Sequence, residues 1–365
     1  MQILTERAAL IDIVTRAASI VEVKKSVPIL GHVVLATGEN SVSVTATDLD
    51  IDITDSCPAD VARSGAITVP ALMLADIVRK TSGAEISFNS MPENGTVEIR
   101  SGKAKFRLPT LAAEDFPNVH ELGVVKCTFE MALADLLDIF QSVKHAMSTE
   151  HTRHYLRGVY LHGHASTRLR AVATNGHVLA MREMPAPIGA GNLDGVLLPL
   201  KLVNSFAKIA SDTSAETMVV SVSGVRVQFR IGTMTLTSKL IDGTYPDYQR
   251  VIPSSHVTRM IVNAKDMASA VDRVGAVALT GIGLHVNSAL SITGRGTDGG
   301  TADDQIDAEH TGPDVSIGFN ASYVSQTLGI VDGDAIWEFT DAGSPAVVKD
   351  SADDTKLFVL MPMRL

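Results

Sequence analysis

Apolar positions along this chain follow two rhythms, one of period two and one of helical period, and the same succession of the two occurs three times. A short strand-like run leads into an amphipathic helix at QILTERAALIDIVTRAASIV from Gln2, at CTFEMALADLLDIFQSVKHAM from Cys127 and at RMIVNAKDMASAVDRVGAVAL from Arg259. In the second copy Leu133, Leu136, Leu137, Phe140 and Val143 share one helical face. Leu10, Ile13, Val14 and Val21 do the same in the first, and Met267, Val271 and Val274 in the third. A period of roughly 130 residues is too long for a solenoid, so each copy is expected to be a whole domain.

Each copy continues through alternating strands. In SVSVTATDLDIDIT, Val42, Val44 and Ala46 lie on one face, and Leu49, Ile51 and Ile53 resume after a slip of one, which predicts a bulge or bend. A second helix is expected after ITVPALMLADIVRK, VLLPLKLVNSFAKIA and SIGFNASYVSQTLGIV, with Pro70 and Pro199 in a first helical turn and Asn320 as a capping side chain. Strands outnumber helices, so the fold class is α+β, with three duplicated domains at 1–125, 126–253 and 254–365. The stretch GRGTDGGTADDQIDAEH, 294–310, reads as a flexible acidic loop.

Composition narrows the picture. Hydrophobic residues make up 45% of the chain but aromatics only 4%, so the core must be aliphatic. Cys57 and Cys127 are too few and too far apart for a disulfide framework or a zinc site, and read as core thiols in a reduced compartment. Neither a signal peptide nor a membrane-spanning run is visible, so a cytoplasmic protein with no membrane role is expected. The net charge of −10 argues against simple coating of DNA, yet it is uneven: −5 over 1–125, +3 over 126–253 and −8 over 254–365. An acidic chain can still hold DNA if its cations collect on one surface.

VPILGHVVL from Val27, TATDLDIDI from Thr45, SKLIDGTYPDYQRVIP from Ser238, IGFNASYV from Ile317 and the terminal MPMRL resemble the bacterial beta sliding clamp family, the beta subunit of DNA polymerase III. The resemblance spans all three copies in order. It implies three clamp domains, each with two helices packed on two antiparallel sheets, and a head-to-tail homodimeric ring with helices lining the hole. It also implies a non-catalytic processivity factor without cofactor or metal. Its partners would be double-stranded DNA held without sequence specificity, a clamp-loader ATPase, the replicative polymerase, and translesion and repair polymerases, mismatch-repair proteins and ligase. Arg7, Arg16, Lys24, Lys25, Arg79, Lys80, Lys144, Lys201, Lys208, Lys265 and Arg273 are the candidate inward cations, and Lys24 matches a basic DNA-contacting position of the family. The segment STEHTRHYLRG resembles a second DNA-facing loop through Arg153, His154 and Tyr155, with His154 where relatives often carry an aromatic.

Clients of this family bind through short peptides, bearing a glutamine and a Leu-Phe-like pair, in an apolar groove. The matching positions are Leu156, Thr174, Gly176, His177, Leu179, Pro246, Arg250, Val251, Asn320, Tyr323, Pro345, Met361, Pro362, Met363, Arg364 and Leu365. Leucine, valine and methionine suit an adaptable floor, and the polar members suit a peptide backbone. Val178 replaces a residue that is basic in many relatives, and ALTGIGLHV, 278–286, is shorter than the family's loop, so client preference is expected to differ. The cluster His145, His151 and His154 lacks a carboxylate or thiol at metal-ligand spacing, and His162 and His164 read as surface histidines on one strand. An enzyme finds no support, since no nucleophile elbow, phosphate loop or HExxH occurs. A specialised clamp paralogue is the remaining alternative, which a second clamp gene in the same genome would favour.

Overall fold

A computed structural model describes residues 1–21, 27–117, 121–211, 213–278 and 281–364. The three predicted strand–helix openings are present. Strand Gln2–Glu6 runs into α1 (Arg7–Ile20), strand Val125–Ala132 into α3 (Leu133–Val143), and strand Thr258–Asn263 into α5 (Ala264–Gly275). The second helices, α2 (Ala71–Lys80), α4 (Leu200–Ser211) and α6 (Ala321–Leu328), likewise each follow a strand. Pro70 and Pro199 end those strands, one residue short of the expected first helical turn, where proline costs no helix hydrogen bond. Asn320 caps α6 as expected, its Oδ1 accepting from the backbone N–H of Ser322 and Tyr323 at 2.9 and 3.4 Å.

The backbone divides into two compact units, Met1–Asp135 with Asn204–Leu240, and Leu136–Val203 with Ile241–Leu365. The first holds a five-stranded sheet and an eight-stranded antiparallel sheet. The latter joins the first copy of the repeat to the second, because Met234–Lys239 pairs with Ile51–Pro58 in the register Thr235↔Thr54 to Ser238↔Ile51. Helix α1 packs against α2 and against strands Ser41–Thr47 and Ile51–Pro58, burying Leu10, Ile13, Val14, Ala17 and Ile20. Val21 has left the helix as its C-cap, so the predicted stripe stops one residue early. In the second unit, a nine-stranded sheet joins the second copy to the third where Val178–Pro185 pairs with Lys356–Leu360, and a four-stranded sheet lies apart from it.

Of the expected bulge or bend at the slip, the structure shows the bend, a hairpin turn: Asp48 Oδ1 accepts from the N–H of Asp50 and Ile51, and Leu49 is forced to φ 79° with its side chain exposed. One expectation is corrected: the acidic stretch is not a loop, since Thr301–Ile306 pairs with Leu290–Arg295, and Glu309–Thr311 pairs with Thr258–Asn263. Both acidic strands lie at a sheet edge, where charge and poor patterning are tolerated. Cys57 is buried and Cys127 half-buried, and neither is in a disulfide. No helix among the described residues is long and apolar enough to cross a membrane.

Candidate functional site

The second unit contains a core cluster of Leu156, Val172, Leu179, Leu197, Tyr245, Tyr248 and Val359, and one side of it opens into a cavity of about 320 Å³. Leu156, Leu179 and Val359 supply an apolar floor, and the strand end and turn at Thr174, Gly176, His177 and Val178 form one wall. Pro246, Asp247, Tyr248 and Val251 form another, and Met361 stands on the rim, 41% exposed. Such a shape, apolar below with polar groups at the edge, suits an extended peptide.

Local chemistry explains the walls. Thr174 Oγ1 donates to the Val178 carbonyl at 2.7 Å and accepts from the Gly176 N–H, while Asn175 Oδ1 accepts from the N–H of both His177 and Val178. This Asx-type turn puts Gly176 at φ 90°, where any other side chain is strained, and a Cβ there would stand 3.2 Å from the Arg153 guanidinium. The C-terminal tail is strapped down by two backbone bonds, Met361 N–H to the His177 carbonyl at 2.9 Å and Met363 N–H to the Gly318 carbonyl at 2.8 Å. His177 also stacks on Tyr323, with centroids 6.1 Å apart and planes 16° from parallel. Tyr323 lies in the first turn of α6, which Asn320 caps.

Of the sequence-predicted groove residues, Leu156, Thr174, Gly176, His177, Leu179, Pro246, Val251 and Met361 therefore line one cavity. Tyr323 borders it through His177, and Asn320 acts on it only by capping α6. Arg250 points outward in an exposed pair with Asp247 at 2.8 Å. Pro345 precedes the strand Ala346–Asp350, Pro362 is half-buried, Met363 and Arg364 are exposed, and Leu365 lies outside the described residues. Asp247, Tyr248 and Val359 escaped the sequence reading. The first two sit inside the quoted YPDYQRV, and Val359 belongs to a strand whose alternation gave no sign that it faces a cavity.

The DNA-facing candidates divide differently. Lys24 and Lys25 lie outside the described residues. Arg79 and Lys80 are exposed on the last turn of α2, sharing Asp76 at 3.6 and 3.2 Å, and Lys201 is half-buried in the first turn of α4. Arg153 and Tyr155, expected beside DNA, line the cavity, while His154 reaches the Asp242 carbonyl at 3.2 Å. Arg16 is not available for phosphate, because it is half-buried and held in an ion pair with the buried Asp55 at 2.6 Å. The Arg7 guanidinium is likewise spent on the carbonyls of Val78 and Arg79 at the end of α2. His162 is also not a surface residue: it is half-buried and bonded to Tyr248. Among the described residues no group of histidine, cysteine and carboxylate side chains is placed to hold a metal ion. A larger depression of about 740 Å³ over the five-stranded sheet is open and polar, and its one buried carboxylate, Glu98, is already paired with Arg100, Lys105 and Arg107.

Comparison with known proteins agrees along the whole chain. Family models described as the N-terminal, central and C-terminal domains of the DNA polymerase III beta subunit match residues 1–120, 130–247 and 249–364. The chain is 36% identical to the beta sliding clamp of Caulobacter vibrioides and 30% identical to that of Pseudomonas aeruginosa, each match covering 100% of both chains. Among solved structures, the pol III beta of Caulobacter crescentus superposes with a TM-score of 0.95 at 35% identity, covering all of both chains. A sliding clamp from Bartonella birtlesii bound to griselimycin gives 0.95 at 36%, again over both entire chains. This chain, with three clamp domains built of helices on antiparallel sheets, belongs to the DNA polymerase III beta subunit family, the beta sliding clamps.

Proposed function

We propose that this chain is a non-catalytic sliding clamp that closes as a homodimeric ring around duplex DNA and tethers the replicative polymerase. Its three domains would span 1–125, 126–253 and 254–365. One observation carries the reading: segments far apart in sequence converge with the chain's own C-terminal tail on a single apolar cavity, which is what a peptide-tethering protein needs. Translesion and repair polymerases, mismatch-repair proteins and ligase would use the same groove in turn, and a clamp-loading ATPase would open the ring. Met361 and Met363 at its exposed edge suit clients of varied shape. The acidic net charge fits retention by topology rather than by affinity, with DNA contacts that are weak, salt-sensitive and indifferent to sequence.

The homodimer is supported by two sheet edges of opposite charge. Strand Ala104–Pro109 ends the five-stranded sheet with Lys105 and Arg107 exposed, next to Lys103; strand Thr301–Ile306 ends the four-stranded sheet with Asp303 exposed, next to Asp307. The basic edge of one copy would pair with the acidic edge of a second. The test is native mass together with retention on DNA. The protein should run at about twice its 38.7 kDa chain mass, and after loading it should stay on nicked circles and leave once they are linearised. A strict monomer at micromolar concentration, or tight sequence-specific binding to short linear duplex, would overturn the proposal.

A further inference from the structure

Behind the groove lies a polar cluster that shares only Tyr248 with the groove's lining. His162 on strand Gly158–His164 has its Nδ1 at 2.7 Å from the Gly163 carbonyl and its Nε2 at 3.1 Å from the Tyr248 hydroxyl. A carbonyl only accepts, so Nδ1 must carry the proton and Nε2 must be the acceptor, receiving the hydroxyl proton of Tyr248. The same hydroxyl accepts from Arg170 Nη1 at 2.7 Å, and Arg170 is held in turn by Glu183. Each proton in this relay has one available direction. Tyr248 is only 6% exposed, yet it opens the short 3₁₀ segment Tyr248–Val251 that supplies a groove wall.

We infer that Tyr248 is the positioning residue of the groove and that neutral His162 latches it, so that protonation of His162 releases the wall at 246–251 and weakens peptide binding. The inference rests on the reading of this cavity as the client groove. Once Nε2 gains a proton it becomes a donor, and the Tyr248 hydroxyl faces two donors with its own proton displaced. The groups around His162 are Arg170 and Glu183 on the neighbouring strands, His164 and Tyr160 on its own strand, and Tyr248, with Tyr245 stacked beyond Tyr160 at 4.8 Å. Burial, then Arg170 and His164, push the His162 pKa below its ordinary value, while the Gly163 carbonyl and Glu183 oppose the shift. The folded groove therefore favours the neutral form. Affinity should be complete above the ordinary histidine range and fall as pH drops through the lowered value, and bound peptide should lower that value further.

The experiment titrates a fluorescein-labelled peptide, bearing a glutamine and a Leu-Phe pair, into the full-length protein from about pH 7.5 to about pH 5. Wild type should lose about three- to tenfold in affinity, the worth of one hydrogen bond. His162→Gln, which keeps an acceptor but cannot titrate, should bind as wild type does at neutral pH and show a flat profile. Tyr248→Phe should bind about three- to tenfold more weakly at neutral pH and also be flat. Long-range ¹H–¹⁵N correlation of the free protein should find the His162 proton on Nδ1. A pH response that persists in His162→Gln would place the effect outside His162 and overturn the inference, as would a proton on Nε2. Absence of peptide binding by folded wild type at every pH would instead overturn the groove reading, and the inference with it.

Discussion

His145 shows how much one side chain can cost. It is half-buried as a residue, but both ring nitrogens are shut off from solvent without a hydrogen-bond partner among the described residues, and its ring packs 5.7 Å from Phe358. Burial lowers its pKa to about 4 from an ordinary 6.5. The unfolded chain therefore takes up a proton that the fold refuses, so stability is complete above about pH 6.5 and erodes as pH falls toward 4, by about 3 kcal/mol in all. Urea denaturation of His145→Phe should show a shallower acid limb between those values than wild type. Identical slopes would mean that this ring is protonated in the fold. Arg16 and Asp55 make the contrasting case, an ion pair with a buried carboxylate where a cation directed at DNA phosphates was expected. Period tells which face a residue takes, and cannot tell that a buried carboxylate waits on the strand beneath.

Among elements, the tail Met361–Arg364 is the one whose role is most open to attack. It adds no strand to the nine-stranded sheet, in which the preceding strand Lys356–Leu360 is an interior one, and is held by two backbone hydrogen bonds. Deleting Met361 to Leu365 should leave folding and dimerisation largely intact while removing the rim of the groove, and peptide affinity should fall by about 2 to 4 kcal/mol if these residues are anchors. Anisotropy titration of the verified, folded truncation decides this, and equal affinity would place the client site elsewhere. Much of the element scale was legible beforehand: the three strand–helix openings and the Asn320 cap hold, and Thr174, His177, Pro246 and Met361 line one cavity. What stayed hidden has a physical cause. The strands at 301–311 are edges without a buried face, so they lack the alternation that marks a strand. Tyr248 reads as an ordinary core tyrosine, because only tertiary structure brings His162 and Arg170 to its hydroxyl.

For the whole molecule, the opposed sheet edges make dimerisation testable by charge exchange. Lys103→Glu with Arg107→Glu turns the basic edge acidic while leaving Lys105 and Arg100 to hold Glu98, and Asp303→Lys with Asp307→Lys turns the acidic edge basic while leaving Asp304 on Arg273. Either double variant alone should be monomeric, with like charge meeting like at both interfaces. Mixed together, every interface regains opposite charges and the dimer mass should return. Dimers that persist in both separate variants would remove these edges from the interface.

The sheet shared by the first two copies also sets a timetable for biosynthesis. Strand Ile51–Pro58 waits for Met234–Lys239, made about 180 residues later, and until then its edge is open. At a synthesis rate of about 5 to 20 residues per second that interval is roughly ten to forty seconds. Nascent chains arrested before residue 234 should therefore offer a template for intermolecular strand pairing that full-length chains lack, and their aggregation should cease once the missing strand has emerged from the ribosome.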